Sequence, residues 1–178
     1  GGANDQFGTA QHLDGGLFSG VLRLDVNQDP TKSHPIRRQP LSTGFGSPPS
    51  YSSNYFIPND NPFLDAGGSI LEEFWAIGLR SPHRMTYDLT NNQIWLGDVG
   101  EHTVEEVDLI ERGGNYQWYY REGIFDGPHP DQPDPLIGTN QPPVHSYLHT
   151  NANGCVIGGY IYRGAEFAEE LGGKYIFG

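Results

Sequence analysis

The sequence predicts an all-β chain of short strands joined by long, turn-rich connections, and three observations carry that prediction. Glycine (25) and proline (14) fill about a fifth of the 178 residues without any repeat period. Aromatic residues make up 12 % of the chain, more bulky apolar surface than a disordered polymer could use. The apolar stretches are short and bounded by turn residues, which excludes a helical bundle.

The strands follow in order. Val21-Leu22-Arg23-Leu24-Asp25-Val26 alternates apolar and polar residues, the two-residue period of a strand with one buried face. Residues 27–65 then turn to Pro, Ser, Asn and Gly, a connection long enough to suggest a functional loop. Strand patterns resume at Phe74–Ile77, Arg84–Tyr87, Gln93–Leu96 and Glu106–Ile110, with Thr90-Asn91-Asn92 as a hairpin turn. A second Pro-rich loop covers 127–143, and Val156–Tyr162 and Lys174–Phe177 read as two more strands. Cys155, just ahead of an apolar strand, is expected to be buried.

A weak internal echo organises these pieces. Ile94-Trp95-Leu96-Gly97-Asp98 resembles Tyr175-Ile176-Phe177-Gly178, and Arg23-Leu24-Asp25-Val26 resembles Glu106-Val107-Asp108-Leu109. Equivalent strands in successive four-stranded units are how a β-propeller is written. On this reading the chain holds the end of one blade, a full blade over roughly 72–110, and the start of another, so it looks cut from a longer sequence. A self-contained β-sandwich with long loops is the alternative.

Charge narrows the partners. Ten Lys and Arg against 22 Asp and Glu leave a formal charge of −12, which repels phosphate backbones and anionic lipid. Neither nucleic acid nor a membrane surface is therefore an expected partner, and no apolar run reaches the ~20 residues of a membrane span. The single cysteine forms no internal disulfide and leaves the compartment open.

Three stretches could carry chemistry. In Gly78–Arg84, the extended conformation that Pro82 imposes on Ser81 would aim Arg80 in a defined direction, suited to a ligand carboxylate or quinone oxygen, or to a carboxylate of the blade itself. In Gly97-Asp98-Val99-Gly100-Glu101 with Glu105 and Glu106, a curled glycine backbone beside acidic groups suits calcium; it suits equally a solvated loop in which a Glu caps backbone amides. The Asp126–Asp134 run, with His129, lacks any regular ligand spacing and reads as a solvated loop. No phosphate-binding loop, dinucleotide glycine pattern or nucleophile elbow is present.

These stretches together resemble the glucose/sorbosone dehydrogenase family. The resemblance rests on Glu73-Phe74-Trp75-Ala76-Ile77-Gly78-Leu79-Arg80-Ser81-Pro82, Trp95–Gly100, Glu105–Ile110, Gly113–Trp118, Val156–Gly164 and Gly173–Gly178, with Tyr55–Phe63 upstream. It implies a six-bladed β-propeller, with residues 1–178 as part of that single domain. It also implies a periplasmic or secreted quinoprotein that oxidises a sugar or sugar-derived aldehyde with pyrroloquinoline quinone held on calcium. An external acceptor such as a cytochrome or quinone would take the electrons, and the remaining blades would come from the same polypeptide. Arg80 and Ser81 would face the quinone, the Gly100 and Glu101 carbonyls would ligate the calcium beside it, and Glu106 with the Tyr116 carbonyl would hold a second calcium. The catalytic base, a His, would lie in an earlier blade, so no residue here is assigned that role. Ser81 replaces the Asn of the family pattern, and Ala165-Glu166 follows Arg163-Gly164 where the quinone enzymes place a Lys. Those departures motivate the alternative of a non-catalytic extracellular propeller that binds a carbohydrate or protein partner.

Overall fold

The computed structural model describes residues 5, 9–40, 53–149 and 154–178. The strands are β1 (Gly20–Leu22), β2 (Ser33–Pro35), β3 (Phe56–Pro58), β4 (Phe74–Ile77), β5 (Pro82–Asp88), β6 (Gln93–Asp98) and β7 (Val104–Ile110). Seven more follow: β8 (Gly114–Asn115), β9 (Arg121–Glu122), β10 (Phe125–Asp126), β11 (Thr139–Asn140), β12 (His145–Leu148), β13 (Gly159–Ile161) and β14 (Tyr175–Phe177). Among the described residues, one four-residue helix, Ala168–Leu171, interrupts them. The chain is all-β, as the composition predicts.

The largest sheet is antiparallel, in the order β12-β7-β6-β5, the form of one propeller blade. Its register runs Met85 opposite Leu96, Thr86 opposite Trp95 and Leu96 opposite Asp108. The expected blade over roughly 72–110 needs correction. Phe74–Ile77 pairs with β1 and β8 in a separate sheet, β1-β4-β8-β11, and the fourth blade strand is β12, which returns only after residues 111–144. The two expected long loops also hold structure. Within 27–65, β2 pairs antiparallel with β3, and within 127–143, β11 runs parallel to β8; residues 41–52 lie outside the described set.

The core joins the two four-stranded sheets. Val21, Ala76 and Leu79 from one side meet Leu96 and Ile110 from the other, with Tyr116 closing the cluster. A second cluster of Leu13, Leu71, Phe74 and Ile77 lies behind β4. The β13-β14 pair packs on the blade through stacked Trp95 and Tyr175 rings 5.0 Å apart and a Thr86 hydroxyl donating to the Gly159 carbonyl at 2.5 Å. Cys155 is exposed, contrary to the sequence expectation, because the strand it precedes begins only at Gly159. Among the described residues, no helix is long and apolar enough to cross a membrane.

Candidate functional site

The site forms where β4 passes into β5 beside the end of β6. Gly78 makes the turn possible: its φ is +79°, and an added Cβ would stand 2.3 Å from the Asn115 side-chain oxygen. Pro82 then opens β5 opposite Asp98, with a register shift before Arg84. In the segment between, the Arg80 and Ser81 amides each donate to a different oxygen of the buried Asp98 carboxylate, at 2.7 and 2.6 Å. Burial pushes the Asp98 carboxyl up to about 6 despite those two amides.

With its backbone fixed, Arg80 reaches across the next loop. Its Nη1 donates to the Val99 and Gly100 carbonyls at 3.0 and 2.7 Å, and its Nε donates to Glu101 Oε2 at 3.4 Å. The guanidinium lies 5.4 Å from the centre of the Trp118 ring. Gly100 admits no side chain, since a Cβ would fall 1.7 Å from the Val104 carbonyl oxygen. Thus Arg80, Gly100 and Glu101 meet, while Ser81 joins them through Asp98.

The other face of the loop is held by a residue the sequence reading passed over. Glu122 Oε1, on β9, accepts the amides of Glu101, His102, Thr103 and Val104 at 2.7, 2.9, 2.8 and 3.1 Å. Burial works to raise its pKa, but these four amides outweigh it and the carboxyl lies below its ordinary value. The carboxylate that caps the backbone amides of this loop is thus Glu122, from outside the acidic 98–106 run in which a capping Glu was expected. Glu105 and Glu106 cap elsewhere, accepting the Val156 and Gly123 amides. Glu105 also pairs with His149.

Glu106 and Tyr116 border the same small cavity as Arg80, Asp98, Gly100 and Glu122. Its volume of about 10 Å³ suits one water-sized sphere. Burial, and then the Asp98 charge, push the Glu106 carboxyl up to about 8. Asp108 follows Glu106 on the same face of β7; burial and then Glu106 and Asp98 raise it well above the usual carboxylate range. Among the described residues, neither Asp108 oxygen has a hydrogen-bond partner. Tyr116 donates its hydroxyl to the Leu109 carbonyl at 2.6 Å and its amide to Ile77 at 3.0 Å.

These features bear on the expected calcium and quinone. Among the described residues, no three His, Cys, Asp or Glu side chains surround a common metal position. A cation here would lean on main-chain oxygens. The Gly100 carbonyl carries two lone pairs, and Arg80 uses one, so the donor set at Gly100 and Glu101 fits a hard cation. Glu106 and Asp108, the latter with no hydrogen-bond partner among the described residues, are donors of the hard type calcium takes, with main-chain oxygens left to complete any set. Arg80 suits an anionic quinone: its contact with Glu101 is long enough to exchange for a ligand carboxylate.

Comparison with known proteins agrees with the motifs. The Glucose / Sorbosone dehydrogenase family profile matches residues 29–178. The HIPL1 protein of Arabidopsis thaliana is 33 % identical over 99 % of this chain and 25 % of its own length. The aldose sugar dehydrogenase YliI of Escherichia coli is 29 % identical over 64 % of this chain and 29 % of its own. A crystal structure of the soluble aldose sugar dehydrogenase from Escherichia coli, in the apo-form, superposes with a TM-score of 0.49 at 26 % identity, covering 64 % of this chain and 32 % of that one. The chain spans about a quarter of the length of the curated relatives it matches. With its motifs in family order and the profile running from residue 29 to the last, the chain belongs to the glucose/sorbosone dehydrogenase family.

Proposed function

We propose that the protein carrying this chain oxidises a sugar or sugar-derived aldehyde with pyrroloquinoline quinone and calcium, in the periplasm or outside the cell. It passes the electrons to an external acceptor such as a cytochrome or quinone. Residues 1–178 contribute part of a six-bladed ring completed by the rest of the same polypeptide. The observation that carries the reading is Arg80, a cation fixed on the Val99 and Gly100 carbonyls beside an acid-lined cavity.

Arg80 would turn its guanidinium from Glu101 to a quinone carboxylate, while Asp98 holds the Arg80 and Ser81 backbone in place. The Gly100 and Glu101 carbonyls would hold calcium at the quinone, and Glu106 with the Tyr116 carbonyl a second, structural calcium. The quinone would supply a two-electron acceptor for the sugar carbon, and calcium would supply a Lewis acid at the reacting oxygen. Trp118 covers one side of Arg80 and limits water there.

The test is reconstitution of the full-length protein with pyrroloquinoline quinone and calcium chloride. Reduction of an artificial acceptor with aldoses, together with a quinone absorbance band, is the expected result. No turnover across a broad sugar panel and no bound quinone would overturn it. One observation favours the second reading, a non-catalytic propeller binding a carbohydrate or protein partner: Arg163 is committed to Asp88 at 2.5 Å and Ala165-Glu166 follow, so that segment offers the cofactor no Lys.

A further inference from the structure

We infer that Glu122 is a positioning residue for the proposed cofactor site: it sets the direction of the peptide groups in the 99–103 loop, so that the Gly100 and Glu101 carbonyls are presented on the opposite side. This rests on the functional reading above for its purpose, and on geometry alone for its mechanism. The loop lies between an anion and a cation. On one side Glu122 Oε1 gathers four consecutive amides, from Glu101 to Val104. On the other, Arg80 Nη1 takes the Val99 and Gly100 carbonyls. Each peptide dipole is thereby held with its N–H toward the carboxylate or its oxygen toward the guanidinium. Charge-assisted bonds of this kind are about twice as strong as neutral ones.

The fit leaves no slack. A Cβ on Gly100 would stand 2.8 Å from Glu122 Oε1, so the backbone approaches the carboxylate as closely as glycine permits. Glu122 is itself buried and anchored, because β9 pairs with β10 and its neighbour Arg121 is ion-paired with Asp126. An oxygen set held this way is preorganised for a cation, which then need not order the loop on binding.

The test uses the full-length protein and compares wild type with Glu122→Gln, which keeps size and removes charge. Glu122→Asp serves as a second variant, with the charge kept and the reach shortened. Amide hydrogen exchange should rise about tenfold or more at residues 101–104 in Glu122→Gln and less in Glu122→Asp, with β6 unchanged. Titrations with calcium chloride and with pyrroloquinoline quinone, followed by the quinone absorbance, should need about tenfold more of each for half-saturation. Unchanged protection at 101–104 overturns the proposal. Faster exchange with superimposable titrations also overturns it, since a merely structural role gives that result. A wild type that takes up neither calcium nor quinone removes the functional reading and the purpose assigned to Glu122, while the exchange data still decide whether the carboxylate holds the loop.

Discussion

Two adjacent groups of buried carboxylates follow opposite rules. Asp98 and Glu122 sit at the loop after β6 and are satisfied by backbone amides, two on the first and four on the second. Glu106 and Asp108 lie two residues apart on β7; Glu106 accepts the Gly123 amide, and Asp108 has no hydrogen-bond partner among the described residues. The first group organises backbone without help. The second is short of positive charge and is completed only by a cation or by protons. A buried carboxylate thus organises backbone at Asp98 and opposes folding when ionised at Glu106, directly opposite it in the sheet register.

The contrast is broken most directly at Asp98. Asp98→Ala leaves the Arg80 and Ser81 amides unpaired, at about 1–3 kcal/mol each, so chemical denaturation should show a loss of about 2–6 kcal/mol. A loss below about 1 kcal/mol would mean the amides find water instead. The next effect is the pH dependence set by Glu106. Its folded pKa is raised from the ordinary 4.5, so its contribution is full below that value and is lost as pH rises through about 8. Melting temperature should therefore fall from pH 5 to pH 8 in chelator and flatten when calcium is added. A melting curve indifferent to chelator would remove the metal assignment at Glu106 and Tyr116.

Asp108→Asn should act in the opposite direction to the Asp98 change. It removes a buried carboxyl that has no hydrogen-bond partner among the described residues and whose ionisation opposes folding, so without calcium it should stabilise by about 1–2 kcal/mol at the alkaline end of the range. Destabilisation there would show that Asp108 is paired in solution. The smallest effect belongs to the surface: Arg23→Ala breaks an ion pair with Asp60 whose side chains are 40 % and 70 % exposed, and should cost less than about 1 kcal/mol.

Much of this was legible in the sequence, and the remainder has physical reasons. Local patterns gave the β5–β6 hairpin, β7, β13 and β14, because alternation and turn residues act within a few positions. The meeting of Arg80 with Gly100 and Glu101 was legible through motifs. Glu122 was not, since nothing in Tyr120-Arg121-Glu122-Gly123 marks an acceptor for amides about twenty residues earlier. The available signal was indirect: a tight turn after Gly100 leaves successive amides in need of an acceptor. Likewise, β4 looked like a blade strand because its pattern is apolar, but pairing with β1 and β8 is a long-range choice that periodicity does not encode.

The return of β12 to β7 also has a consequence during synthesis. Until residues 145–148 emerge, β7 offers an unpaired edge, and at roughly 5–20 residues per second the stretch 111–144 takes about 2–7 s to translate. For that interval the free backbone edge of β7, whose seven residues include Glu105, Glu106 and Asp108, is open to pairing with another extended chain. Chaperone occupancy of the nascent protein should accordingly peak between the appearance of β7 and that of β12.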